Sequence, residues 1–261
     1  MMLQIDDLTK VYGKGESQQV AMSGLTFGVD VNEFVCIVGS SGCGKTTMLR
    51  CLAGLMPSTS GVVKLLGKIV TAPPKEMAYV FQDYSRSLLP WMRIEKNVSF
   101  PLKYKGRGKE EARKIAQESL AAVGLEGKGK LYPWQLSGGM QQRVAIARAL
   151  AYRPSMLLMD EPFASVDAQT RSELEDLLLD IWKRFEMTIL FVTHDIDEAV
   201  YLSQRVLVLH GPAHVAAEIP IDLPYPRDQL ETKRLSRFAE LRSEIFTAIR
   251  RQKGKAEPAG V

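Results

Sequence analysis

A nearly continuous apolar run, Glu33 to Val38, leads directly into Gly39-Ser40-Ser41-Gly42-Cys43-Gly44-Lys45-Thr46. No other feature narrows the possible folds as much. The run reads as a buried parallel strand. The eight residues after it fit G-x-x-x-x-G-K-[ST], and Met48, Leu49, Leu52 and Leu55 then recur at helical spacing. Each part of the loop has a physical purpose. Glycines let backbone N–H groups approach phosphate oxygens without a Cβ in the way. The helix that follows points its positive end at the same anion. Lys45 supplies a compact charge for β- and γ-phosphates, and Thr46 offers a hydroxyl to Mg²⁺. A chance match somewhere in a chain of this composition has odds on the order of 1%. The expected ligand is Mg·ATP, held by Gly39, Ser40, Ser41, Gly42, Cys43, Gly44, Lys45, Thr46 and Thr47.

The rest of the chain supports a sheet built around that strand. LQIDDLTKVY and QVAMSGLTFGV read as earlier strands, and residues 61 to 82 as further short ones ending in MAYVFQ. From Asp83 to about Leu136 the pattern turns helical and is punctuated by Pro90, Pro101 and Pro133. From Ser137 the order is helix (GMQQRVAIARALA), strand (MLLMD), helix (RSELEDLLLDIWKRF), strand (MTILFVTH). Such alternation implies a parallel sheet with right-handed crossovers. A last helix is expected from about Gln229 to Arg251, with GKAEPAGV as a frayed tail.

Charge and cysteine usage exclude several classes. Lys plus Arg is 34 and Asp plus Glu is 30, a surplus of +4. That surplus is too small to argue for nucleic acid or an anionic membrane surface. Cys36, Cys43 and Cys51 show no metal-ligand spacing, so thiols in a reducing compartment are expected. No secretory signal and no apolar run of about 18 residues are visible, so a soluble cytoplasmic chain is expected. Any membrane-spanning helices it works with must belong to another chain.

Two further segments carry chemistry. MLLMD followed by Glu161-Pro162 is an apolar strand ending in two carboxylates. Asp160 suits Mg²⁺. Glu161, expected to face the other way along the strand, suits the general base that polarises an attacking water. Ser137 is a good N-cap, and Gly138 and Gly139 leave the first N–H groups of their helix bare. Two phosphate-seeking helix ends in one chain suggest a nucleotide held between two copies.

Taken in order, these elements resemble the ATP-binding subunit of an ABC transporter. They are the phosphate loop, Gln82, LSGGMQQR at 136–143, MLLMDEP at 156–162, SVD at 165–167 and THD at 193–195. The resemblance covers nearly the whole chain. It implies an α/β P-loop NTPase fold with a parallel core sheet, an N-terminal antiparallel β subdomain and an inserted α-helical subdomain. The expected division is a sheet-containing core at 1–82 and 156–225, a helical subdomain at about 83–155 that includes the signature helix, and a C-terminal helix and tail at 226–261. The resemblance also implies roles. Tyr12 stacks on adenine, Gln82 meets Mg²⁺ or the lytic water, and residues 136–140 cap the ATP of a second subunit. Asp167 crosses the dimer interface and His194 meets the γ-phosphate. Val166 stands where Leu is commoner and Thr46-Thr47 where Ser-Thr is commoner, and both keep the chemical character.

The implied partners are a second copy in a head-to-tail dimer, a membrane permease and, indirectly, an extracytoplasmic binding protein. They place the chain on the cytoplasmic face of the membrane. Ser87-Leu-Leu-Pro-Trp91-Met reads equally as subdomain packing and as a groove for a permease helix. LLPWM, KLYPWQLSGGMQQRVAIARAL, DEAVYLSQRVLVL and IDLPYPRD resemble importers of the nitrate, sulfonate and taurine group. An exporter subunit, a non-transport ABC ATPase and a non-hydrolysing ATP-binding module are the competing readings. Intact Glu161 and His194 argue against the last.

Overall fold

The computed structural model describes residues 1–83 and 87–251. The tail expected at 254–261 lies outside them. The chain forms two compact units, Met1–Pro74 together with the chain from Thr188 on, and Lys75–Met187.

The first part of unit one holds β1 (Leu3–Tyr12), β2 (Gln19–Val29), β3 (Phe34–Gly39), α1 (Lys45–Leu52), β4 (Ser60–Leu65) and β5 (Lys68–Ile69). β1 pairs antiparallel with β2 and β4, giving a sheet ordered β2-β1-β4-β5. Leu3, Ile5 and Leu8 of β1 are buried, as are Leu25 and Val29 opposite them. Helix α1 buries Met48, Leu49 and Leu52. Leu55, expected on the same face, lies past the helix end and is 49% exposed. Gly54 (φ 67°) ends the helical path before Leu55 is reached.

Unit two contains β6 (Met77–Val80), α2 (Ile94–Ser99), α3 (Lys109–Ala122), α4 (Gly138–Ala151), β7 (Met156–Asp160) and α5 (Ala168–Phe185). β6 and β7 pair in parallel, Met77 opposite Met156 through Val80 opposite Met159. The side chain of Asn97 on α2 is fully buried. Its amide accepts from Leu89 N (2.7 Å) and donates to Leu89 O and Met92 O (both 3.0 Å). It thereby holds the 89–92 turn with bonds that a desolvated amide needs.

The remainder of unit one holds β8 (Thr188–Val192), α6 (Ile196–Leu202), β9 (Arg205–His210), β10 (His214–Pro220), α7 (Glu231–Arg234) and α8 (Ser236–Arg250). Within this unit the strand order is β10-β9-β3-β8. β3 runs parallel to both β8 and β9. All six of its residues are buried, which explains its unbroken apolar character. The single helix expected at 229–251 is two helices, separated by extended backbone at Leu235 (φ −64°, ψ 136°). Neither glycine nor proline marks that break. Phe238, Leu241 and Ile245 seat α8 by burial. The expected fold class is the observed one: an N-terminal antiparallel sheet, strands of a mostly parallel sheet around the phosphate loop, and a helical insert.

Candidate functional site

The phosphate loop begins where β3 ends. Gly39 closes the strand, Cys43 N donates to Ser40 O at 3.2 Å, and Gly44 stands at the N-cap of α1 with φ 108°. A Cβ on Gly44 would run into the carbonyl oxygen of Ala21. A side chain is therefore excluded by both backbone angle and space. Around Gly42 (φ 77°) a Cβ would meet nothing within 4 Å, so one side of the loop faces open space. Gly44 makes no side-chain cap on α1, so an anion at this helix end would meet backbone N–H groups and the positive end of the helix dipole. Lys45 is 6% exposed, and its ammonium donates to Gly39 O (2.9 Å) and Ser40 O (3.2 Å). The charge is thus held against the loop itself. A glycine cradle, a helix N-terminus and a buried ammonium fit a polyphosphate.

Tyr12 lies beside this loop. Its hydroxyl is 3.3 Å from Thr47 Oγ1 and donates to Met56 Sδ at 3.1 Å. The residue is 38% exposed, so its ring is not a core ring. Cys43 and Cys51 are buried near the loop, and neither they nor Cys36 form a disulfide. Burial raises the pKa of Cys51, and the charge of Lys10 opposes that shift.

His194 follows β8 in the same unit. Thr193 and Asp195 on either side of it build its setting. Thr193 Oγ1 donates to buried Glu198 (2.5 Å) and accepts from Asp195 N (2.9 Å). Asp195 caps α6, accepting from Asp197 N (2.8 Å) and Glu198 N (3.3 Å). The imidazole is exposed on a firmly tied turn.

In unit two, β7 ends at Asp160, which is 4% exposed and accepts from the hydroxyl of Tyr79 at 2.9 Å. Glu161 does not continue the strand. It adopts a left-handed backbone conformation (φ 43°), and its Oε2 accepts from Gln82 Nε2 at 3.3 Å. The turn, and not strand alternation, separates the two carboxylates. Asp160 and Thr46 offer hard oxygen donors of the type that Mg²⁺ takes.

Ser137 caps α4 as expected, its hydroxyl accepting from Met140 N at 3.3 Å. Gly139 has a packing reason as well, because a Cβ there would overlap Thr170 Cγ2 on α5. Asp167 caps α5, accepting from Thr170 N at 3.0 Å, and this bond lowers its pKa. In the 88–92 segment Leu88 is buried while Trp91 is 69% exposed, so the apolar cluster divides between packing and surface.

Within unit one the structure sets Lys45 and Tyr12 around the phosphate loop, and within unit two it joins Gln82 to Glu161. Tyr79, which donates to Asp160, and Glu198, which accepts from Thr193, belong to no motif in the sequence. Tyr79 sits in an ordinary strand pattern and Glu198 in an ordinary helix, so no local signal separates them from neighbours.

The ABC transporter family matches residues 22–164. The chain belongs to the ABC transporter family. This ABC ATPase is 43% identical over 256 residues to the nitrate import ATP-binding protein NrtD of Synechocystis sp., covering 96% of each. It is 42% identical over 230 residues to the aliphatic sulfonates import ATP-binding protein SsuB of Bacillus licheniformis, covering 88% of each. Among solved structures it is similar to the dimeric post-hydrolysis state of the ATP-binding cassette MJ0796 bound to ADP and Pi. There the identity is 34% and the TM-score 0.75, with 84% of this chain and 99% of that one covered. The ABC ATPase therefore binds adenine nucleotide and is the ATP-hydrolysing chain of its transporter. Among its described residues, no helix is long and apolar enough to cross a membrane.

Proposed function

We propose that this chain powers import of a small anion of the nitrate, sulfonate or taurine type through a separate permease. It would work peripherally, on the cytoplasmic face of the membrane, with an extracytoplasmic binding protein choosing the cargo. The observation that carries this reading is near full-length similarity to ATPases named for nitrate and aliphatic sulfonate import.

Two copies pair head to tail, with each ATP between Gly39–Thr46 of one and Ser137–Met140 of the other. The loop amides and Lys45 hold the β- and γ-phosphates, and Tyr12 stacks on adenine. Thr46, Asp160 and Gln82 would hold Mg²⁺, which would supply positive charge against the phosphates. Glu161 takes the proton of the attacking water, Gln82 keeps its carboxylate oriented, and His194 donates to the γ-phosphate. Asp167 reaches across the pair. Catalysis is positioning and charge stabilisation, with little covalent work for the protein. The half-exposed segment around Trp91 receives a helix of the permease.

Co-purification with a candidate permease, followed by reconstitution with its binding protein, tests the assignment. ATP turnover should rise with nitrate, a sulfonate or taurine outside the vesicle. Stimulation by none of these anions, in a complex that still hydrolyses ATP, would contradict the cargo class.

A further inference from the structure

The β9–β10 hairpin carries two of the chain's three histidines at its tip, in the sequence His210-Gly-Pro-Ala-His214. His210 and His214 are direct cross-strand partners. Their rings lie 5.9 Å apart between centroids, at 85° to each other. His210 Nε2 is 2.9 Å from the carbonyl oxygen of Ala248 on α8. His214 Nδ1 is 2.9 Å from the carbonyl oxygen of Pro212. A carbonyl only accepts, so the nitrogen named in each ring is the donor, and the neutral form of each imidazole offers its lone pair from the other nitrogen.

A metal-bound histidine has this same arrangement. One nitrogen ligates while the other donates to a backbone carbonyl that fixes tautomer and ring orientation. The spacing also fits. Imidazoles sharing one ion hold their centroids roughly 5–6 Å apart, since a zinc–nitrogen bond is about 2.1 Å and the ring adds about 1 Å. Both rings line a cavity of about 620 Å³ between the hairpin and the end of α8. No third histidine, cysteine or carboxylate completes a cluster among the described residues.

We propose that His210 and His214 bind one borderline divalent transition ion, such as Zn²⁺, Ni²⁺ or Cu²⁺, with water filling the remaining positions. Imidazole nitrogen selects these ions over Mg²⁺, which prefers hard oxygen. Arg251 lines the same cavity, and its charge opposes the ion. Micromolar affinity, not nanomolar, is therefore expected. Occupancy would tie the hairpin more firmly to α8 through the bond from His210 to Ala248.

The test uses the untagged, nucleotide-free full chain, titrated calorimetrically with Zn²⁺ and, separately, with Cu²⁺ under electron paramagnetic resonance. One ion per chain should bind, and the copper spectrum should show two coordinated imidazole nitrogens. His214→Gln alone should weaken binding roughly tenfold or more, the loss that even a supporting residue of a metal site inflicts. The His210→Gln/His214→Gln pair should abolish binding while leaving the thermal midpoint of the metal-free chain near wild type. A His194→Gln chain should bind the metal as wild type does. Metal binding that survives in the double variant would assign the ion to the thiols and overturn the proposal, as would no binding by the wild-type chain.

Discussion

Glu161 stands one residue past the end of β7, in a left-handed backbone conformation that costs a non-glycine residue about 1 kcal/mol or more. The turn sets its carboxylate against Gln82, apart from Asp160, which Tyr79 holds. Asp160 is the buried, tethered carboxylate, and Glu161 is the one reached by a side-chain amide. Replacing Glu161 by Gln keeps the shape and removes the proposed base. Nucleotide affinity should persist while turnover falls about 10²-fold or more, and an ATP-dependent dimer should accumulate on gel filtration. Normal turnover in this variant would remove Glu161 from the mechanism. Gly44 makes a different kind of demand. At φ 108°, with Ala21 O occupying the Cβ position, alanine meets strain of about 1–3 kcal/mol and a steric overlap besides. Gly44→Ala should lower the thermal midpoint and lose ADP binding by titration. Both residues are visible as motif letters in the sequence. Their backbone angles are not, which is why strand alternation was the wrong guide to where Glu161 points.

Helix α4, proposed to meet a second copy's nucleotide, is also held by its own packing. Ser137 caps it, Gln141 donates to the carbonyls of Pro133 (3.1 Å) and Leu136 (3.2 Å), and Arg143 pairs with Glu173 on α5 at 3.1 Å. Gly139 lets Thr170 of α5 come close. Gly139→Ala should therefore destabilise the protein even without nucleotide. Thr170→Ser, which removes the offending methyl, should restore part of the loss in the double variant, and thermal unfolding of the four chains measures the coupling. Additive effects would mean that the close approach of α4 to α5 is not what requires glycine. Elements with a strong period, such as β3 and α1, were legible from sequence. The break at Leu235 was not, because an extended residue between two helical stretches needs no glycine or proline. The positions of Tyr79 and Glu198 were equally hidden, since pairing across strands and burial of a helix carboxylate depend on tertiary neighbours.

At the scale of the molecule, the phosphate loop is half a site in this account. The motif order made the fold class and family readable, because each motif demands its own strand end or helix start. Which copy's nucleotide the α4 end serves cannot be read from motif order, since chain connectivity is the same for a site within one chain or between two. The decisive measurement mixes two inactive chains, one Lys45→Ala and one Ser137→Asp. Aspartate still caps α4, but it sets a carboxylate where a phosphate would lie. In a head-to-tail pair, the intact loop of the second chain meets the intact α4 end of the first. ATPase activity should then reappear on mixing, up to about a quarter of wild type, the share of sites that random pairing leaves whole. If the mixture stays as inactive as its components while wild type is active under the same conditions, each chain completes its own site and the account fails.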